Sequence, residues 1–353
     1  MRLMKSFLND FVQPFRKQGF GAAALSLRLL TSVAAVLAIA PKLPAQGLGD
    51  PVVLTLDLSD TTTYRGDTSD YTKLGTLAGP TTGISRPFQQ GVNLGDIRVV
   101  NGQPVKGLWL RTFNPAGQML PTPASGQFVA DVSASAASMC FFNIVLPDGT
   151  WVGSLFDIAH DPPAPSHSVM GGGGAFLGVV GEHGGQDLIP ARVASQAEDP
   201  SKRRVLGGGK GQARFILYPR TRPAIQVTAN GPAISHADYS PVTAANPARP
   251  GELLILAATG LGPVKPNLDP PGSIEFSGPP YQEVNSPVTV VFNGKELPVV
   301  NKIGWPGQRN IYRVDFQVPS DAASGTATLQ LTAAWIPGPT VTIPVSTLPI
   351  GAR

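Results

Sequence analysis

Gly171-Gly172-Gly173-Gly174-Ala175-Phe176-Leu177-Gly178-Val179-Val180-Gly181-Glu182-His183-Gly184-Gly185 admits two readings. A glycine run ahead of a helix makes an anion cradle, because the helix N-terminus offers free amides. The same run between strands makes a bend, or lets two backbones approach closely. Residues 175–181 decide between them. They are strand material, and no Gly-Lys-Ser/Thr follows. Gly207-Gly208-Gly209-Lys210-Gly211 fails the same test, with Arg204 at the place of the first glycine and Gly211 at that of Ser/Thr. The run therefore reads as β structure and not as a nucleotide loop.

The rest of the chain agrees. Charged residues make up only 14% of it, with 40 Gly and 36 Pro among 353 residues. An average soluble domain carries about 25% charge, so this composition favours strands and turns over surface helices. Beyond residue 50 the pattern is one of short β-like runs, at 52–58, 107–113, 139–146 and 213–218. Asp148-Gly149 between two such runs supplies the positive φ of a tight hairpin. Prolines 219 and 223 mark a boundary. Strand-like runs resume at 252–258, 288–292, 312–318, 326–333 and 340–345, a spacing that suits a small sandwich.

The net charge of +4 is local. The first 45 residues hold six of the 27 basic residues and one of the 23 acidic ones, so the remaining 21 and 22 leave the body near −1. No general attraction to nucleic acid remains, and Lys202-Arg203-Arg204 reads as a solvated turn. A basic segment, the apolar run 29–40 and Leu43-Pro44-Ala45 read as a signal peptide over residues 1–45. A retained anchor is the alternative, and no membrane span is expected once the leader is cut. The expected location is periplasmic, cell-surface or extracellular. Cys140 stands alone among apolar neighbours and reads as a buried, inert thiol.

Two regions resemble known families. Residues 223–346 carry Asn246-Pro247-Ala248-Arg249-Pro250-Gly251-Glu252, Ala258-Thr259-Gly260-Leu261-Gly262-Pro263-Val264, Asn285-Ser286-Pro287-Val288-Thr289-Val290 and Tyr312-Arg313-Val314-Asp315-Phe316-Gln317-Val318-Pro319. This region resembles the immunoglobulin-like, IPT/TIG-like C-terminal domain of exported Acidobacteria proteins. Arg313 and Asp315 depart from that family's usual Tyr-Gln-Val-Asn. Asp148-Gly149-Thr150-Trp151-Val152 and 171–181 are similar to the dirigent and allene oxide cyclase-like barrels, with Gly173 and Val180 replacing the usual threonine and arginine. The resemblance implies an all-β chain: a dirigent-like antiparallel barrel over 50–219, then an immunoglobulin-like sandwich over 223–347.

Candidate chemistry is sparse. The histidines are His160, His167, His183 and His236. Asp157, His160 and Asp161, with Glu182, His183 and Asp187, form the densest polar cluster, and Trp151 is an aromatic candidate for a pocket. Carboxylates and imidazoles bind divalent ions when they converge, but no H-E-x-x-H, EF-hand or Cys/His spacing is present, nor a G-x-S-x-G elbow. No cofactor and no metal are expected. The expected function is that of a non-enzymatic, exported protein whose barrel binds a small apolar or glycan-like ligand, the sandwich serving as spacer or docking module. A barrel enzyme steering a reactive apolar intermediate and a cell-surface adhesin are the alternatives.

Overall fold

A computed structural model describes residues 49–65, 91–113, 136–161, 166–195, 197–266 and 275–347. The expected signal peptide lies outside the described residues. The described residues are almost entirely β. The first sheet contains β1 (Val52–Arg65), β2 (Gly91–Val100), β3 (Gln103–Phe113), β4 (Ala136–Val145), β5 (Trp151–Asp161), β6 (Ser166–Gly174), β7 (Val180–Ile189), β8 (Arg192–Ser195) and β9 (Gly209–Tyr218). Eight of them close into an antiparallel barrel in the order β1-β2-β3-β4-β5-β6-β7-β9, because β1 pairs with both β2 and β9. β8 runs parallel to the last residues of β1.

Alternation builds the wall. In β9 the buried residues Gly209, Gly211, Ala213, Phe215 and Leu217 alternate with exposed or half-buried ones. The inward side chains change character along the strands. Leu54, Leu56, Phe142, Ile144, Leu155, Phe215 and Leu217 fill one end of the barrel and are fully buried. Towards the other end the same strands bring Thr61, Arg111, Ser138, Cys140, Asp157, His167 and His183 inward. Tight hairpins join neighbours at Asn101-Gly102 and around Gly149, where φ is positive.

The glycine run differs in one respect from the expectation. Gly171 to Gly174 belong to β6, and Ala175–Gly178 turn instead of continuing as a strand. Gly174 and Gly178 have φ of 63° and 76°, which side-chain-bearing residues resist, so the chain reverses here. The earlier glycines serve close approach: a Cβ on Gly172 would stand 2.6 Å from both the Phe176 and Ser154 carbonyl oxygens. The basic run also differs. Lys202 closes a 3₁₀ turn, and the four-residue helix α1 (Arg203–Leu206) tucks Arg203 inward against Asp96, which also takes Arg204 and Arg98. A solvated turn would leave that buried carboxylate with Arg98 alone as counter-charge.

The second sheet follows β9 directly. It contains β10 (Ala224–Ile225), β13 (Ile234–His236), β14 (Leu253–Thr259), β15 (Val264–Lys265), β16 (Glu283–Val284), β17 (Val288–Phe292), β18 (Lys295–Gly304), β19 (Tyr312–Gln317), β20 (Gly325–Ala333) and β21 (Ile336–Val345); β11 (Val227–Thr228) and β12 (Gly231–Pro232) pair separately. Its main order is β10-β14-β19-β18-β17-β20-β21. The sheet curls around Leu254, Leu256, Val290, Val314, Phe316, Leu329 and Leu331, so that Gly338 of β21 lies against the Pro223 carbonyl beside β10.

The described residues form one compact unit, and the two sheets meet within it. The hairpin between β20 and β21 places Ala334 and Ile336 in the apolar core of the barrel. Trp335 donates its indole N–H to Gln103 Oε1 at 2.9 Å, and Asn285 Nδ2 donates to the Trp151 carbonyl at 3.0 Å.

Candidate functional site in the barrel interior

Strand register explains which side chains meet. Cys140 of β4 lies opposite Asp157 of β5, and Asp157 opposite Val169 of β6. His167 is two residues from Val169 on the same face, and it pairs directly with His183 of β7. Four neighbouring strands thus converge four reactive side chains on the interior.

Asp157 is the centre. Its side chain is fully buried. His167 Nδ1 is 3.3 Å from Oδ1, and His183 Nδ1 is 2.9 Å from Oδ2. The second contact is close but out of line for a hydrogen bond, so Oδ2 and His183 Nδ1 both remain without an aligned partner. Burial alone would raise the Asp157 pKa. The His167 hydrogen bond, the close approach and charge of His183, and the Cys140 thiol outweigh it and hold the group down at about 2. The same burial, with the Asp157 charge beside it, pushes the Cys140 thiol far above the ordinary thiol range. The protein alone therefore makes Cys140 a protonated donor and not a nucleophile.

The rings are locked. His183 stacks on Phe215, with centroids 4.5 Å apart, and meets Phe142 edge-on at 5.0 Å. His167 and His183 pack edge-to-face at 4.7 Å. With His183 Nδ1 turned to the carboxylate, its Nε2 is the nitrogen left for other work. His183 Nε2 lies 3.8 Å from the Cβ position of Gly185, on the wall of a cavity of about 200 Å³. Cys140, Phe142, His167 and His183 form its depth, Thr61, Trp109 and Arg111 its walls, and Gln186, Asp187 and Gln212 its outer part. Eight buried side-chain polar atoms among the described residues lack an aligned hydrogen bond; Thr61 Oγ1 and Trp109 Nε1 belong to residues that line this cavity, and Asp157 Oδ2 and His183 Nδ1 face each other at 2.9 Å beside it.

Of the residues singled out in the sequence, Asp157, His183 and Asp187 come together at this cavity. Glu182 alternates with His183 and is exposed on the outer face, as is Trp151, whose indole donates to Asn143 Oδ1. The backbones of His160 and Asp161 belong to β5, but their side chains lie outside the described residues. His236 pairs with Glu252 at 2.5 Å in the second sheet, apart from the cavity. His167, Cys140, Trp109 and Arg111 carry no motif. Only strand parity places them on the inner face, counted for His167 through the β5–β6 bulge at Phe156 and Asp157.

A second groove of about 490 Å³ lies on β2–β4, where Arg98, Lys106 and Arg204 surround Asp96. Its cations are already partly committed, Arg98 to Asp60 and Asp96, and Arg204 to Asp96.

No protein-family model and no curated protein matches this chain. A solved polysaccharide lyase is similar over 84% of this chain, at 9% identity and a TM-score of 0.17. The chain spans 40% of that structure's length. A likeness of this size carries no argument about fold or activity.

Proposed function

We propose that the protein is exported and that its barrel takes up a small, polar, glycan-like compound, with the second sheet serving as spacer or docking module. One observation carries this reading: a single cavity of about 200 Å³ is lined by polar side chains, Arg111, His167, His183, Gln186, Asp187 and Gln212, together with Trp109. A ligand bearing hydroxyl groups can exchange hydrogen bonds with such side chains, which fix orientation in a pocket. Trp109 lines the cavity beside these polar groups, a combination that suits a sugar ring better than a wholly apolar molecule. The leader at residues 1–45 supports export; N-terminal sequencing of protein recovered outside the cytoplasm tests it.

Titration of the purified protein against a panel of mono- and oligosaccharides, followed by calorimetry, tests the ligand class. Saturable binding that Trp109→Ala weakens by about tenfold or more is expected. Uptake of a hydrophobic dye into the barrel with no saccharide binding overturns it.

A second reading rests on the Asp157–His183 contact. A carboxylate that orients an imidazole beside a cavity is also an acid–base pair, and the bound compound would then be turned over. Product formation from a ligand that binds, lost in His183→Gln with binding retained, separates the two readings.

A further inference from the structure

We propose that Cys140, Asp157 and His167 form a binding site for a zinc-class divalent metal, with an open coordination position facing the barrel cavity. This goes beyond the glycan reading and does not require an organic ligand.

The geometry comes first. Cys140 Sγ, an Asp157 carboxylate oxygen and a His167 ring nitrogen all lie within 4.8 Å of one another. Zinc bonds of about 2.0–2.3 Å set tetrahedral ligand–ligand edges of roughly 3.3–3.8 Å. The 3.3 Å between Asp157 Oδ1 and His167 Nδ1 equals such an edge. Strands β4, β5 and β6 carry the three ligands side by side, so the site is fixed by sheet register and needs no loop to close.

The donor chemistry selects the metal. One sulfur, one imidazole nitrogen and one carboxylate oxygen suit zinc and its cobalt surrogate, whereas calcium and magnesium take oxygen shells. Cys140 and Asp157 are almost wholly buried, and a bound dication answers the Asp157 charge at short range. His183 Nδ1, 2.9 Å from Oδ2, stands where a carboxylate ligand's outer partner stands, and neither atom has an aligned hydrogen bond of its own. Three protein ligands with a cavity above them is the pattern of zinc sites that keep one position for water or substrate.

The test strips the full-length protein with a chelator and reloads it with Zn²⁺ or Co²⁺. One metal per chain by elemental analysis is expected. Co²⁺ should give the visible bands of a four-coordinate ion and a near-ultraviolet thiolate charge-transfer band. Cys140→Ser should abolish that charge-transfer band and weaken binding at least 100-fold, with circular dichroism showing the barrel intact. His183→Gln should weaken it about 10- to 100-fold while keeping the band. If Cys140→Ser does not fold, His167→Gln reads the same site through its nitrogen ligand. Failure to bind one equivalent, or a Co²⁺ spectrum unchanged by both ligand substitutions, overturns the site. Saccharide titration of the stripped protein is a separate measurement, so loss of one reading leaves the other standing.

Discussion

Asp157 determines what the polar end of the barrel can do. A fully buried carboxylate survives there because His167, His183 and Cys140 turn their donors towards it. Its depressed pKa makes a stability prediction with a defined direction. An unfolded aspartate titrates near 3.9, and the folded one at about 2. The stabilisation from the ionised form is complete above about pH 4 and is lost as pH falls towards 2. Urea unfolding at pH 5, 4, 3 and 2 should show wild type losing stability across this window. Asp157→Asn should be less stable at pH 5 but show a shallower decline below pH 4. Parallel declines in the two proteins would mean that Asp157 carries no such linkage.

The strands explain both what could be read in the sequence and what could not. β14 is an apolar run and β17 a β-branched one, each bounded by glycine, proline or asparagine, and their positions follow from that alone. β7 reads Val-Gly-Glu-His-Gly-Gly-Gln-Asp-Leu-Ile, too polar and glycine-rich to signal a strand, yet it pairs with β6 and β9 as part of a closed barrel. β18 hides in the same way behind Pro298 and its lysines. Closure supplies hydrogen bonds that local composition does not foretell. The site shares this limit. Asp157 and His183 attract notice as charged residues, but the inward turn of His167 depends on a bulge between β5 and β6 that only the folded register reveals, and Cys140, turned inward by plain alternation, meets them only through strand pairing.

Glycine in β6 separates conformational need from composition. Gly171 and Gly172 are adjacent in sequence and both lie in the strand. Nothing lies within 4 Å of a Cβ at Gly171, whereas one at Gly172 meets two backbone carbonyls at 2.6 Å. Gly171→Ala should change stability by less than about 0.5 kcal/mol. Gly172→Ala should cost about 1–3 kcal/mol, because backbone on both sides must shift. Chemical denaturation of the two single variants checks this; equal costs would show that the run is a flexible tract and not a fitted approach.

The two sheets have separate hydrogen-bond ladders but do not have wholly separate cores. Ile336 and Ala334 sit on the tip of a hairpin from the second sheet and are nearly inaccessible inside the apolar end of the barrel. That tip turns through Ala334 and Trp335 with φ of 48° and 62°, where asparagine or glycine is favoured. Burial of Ile336 and the Trp335–Gln103 bond offset the cost of this conformation. Because the plug is supplied by the other sheet, its loss should be felt where the barrel's own sequence is unchanged. Ile336→Ala should destabilise by about 2–5 kcal/mol, with the cavity opening in the barrel core. Calorimetry should show one cooperative transition in wild type, and hydrogen exchange in the variant should quicken in β1, β4 and β9, around Leu54, Phe142 and Phe215, as well as in β21 itself. Faster exchange confined to β20 and β21 would show that the barrel stands without its plug.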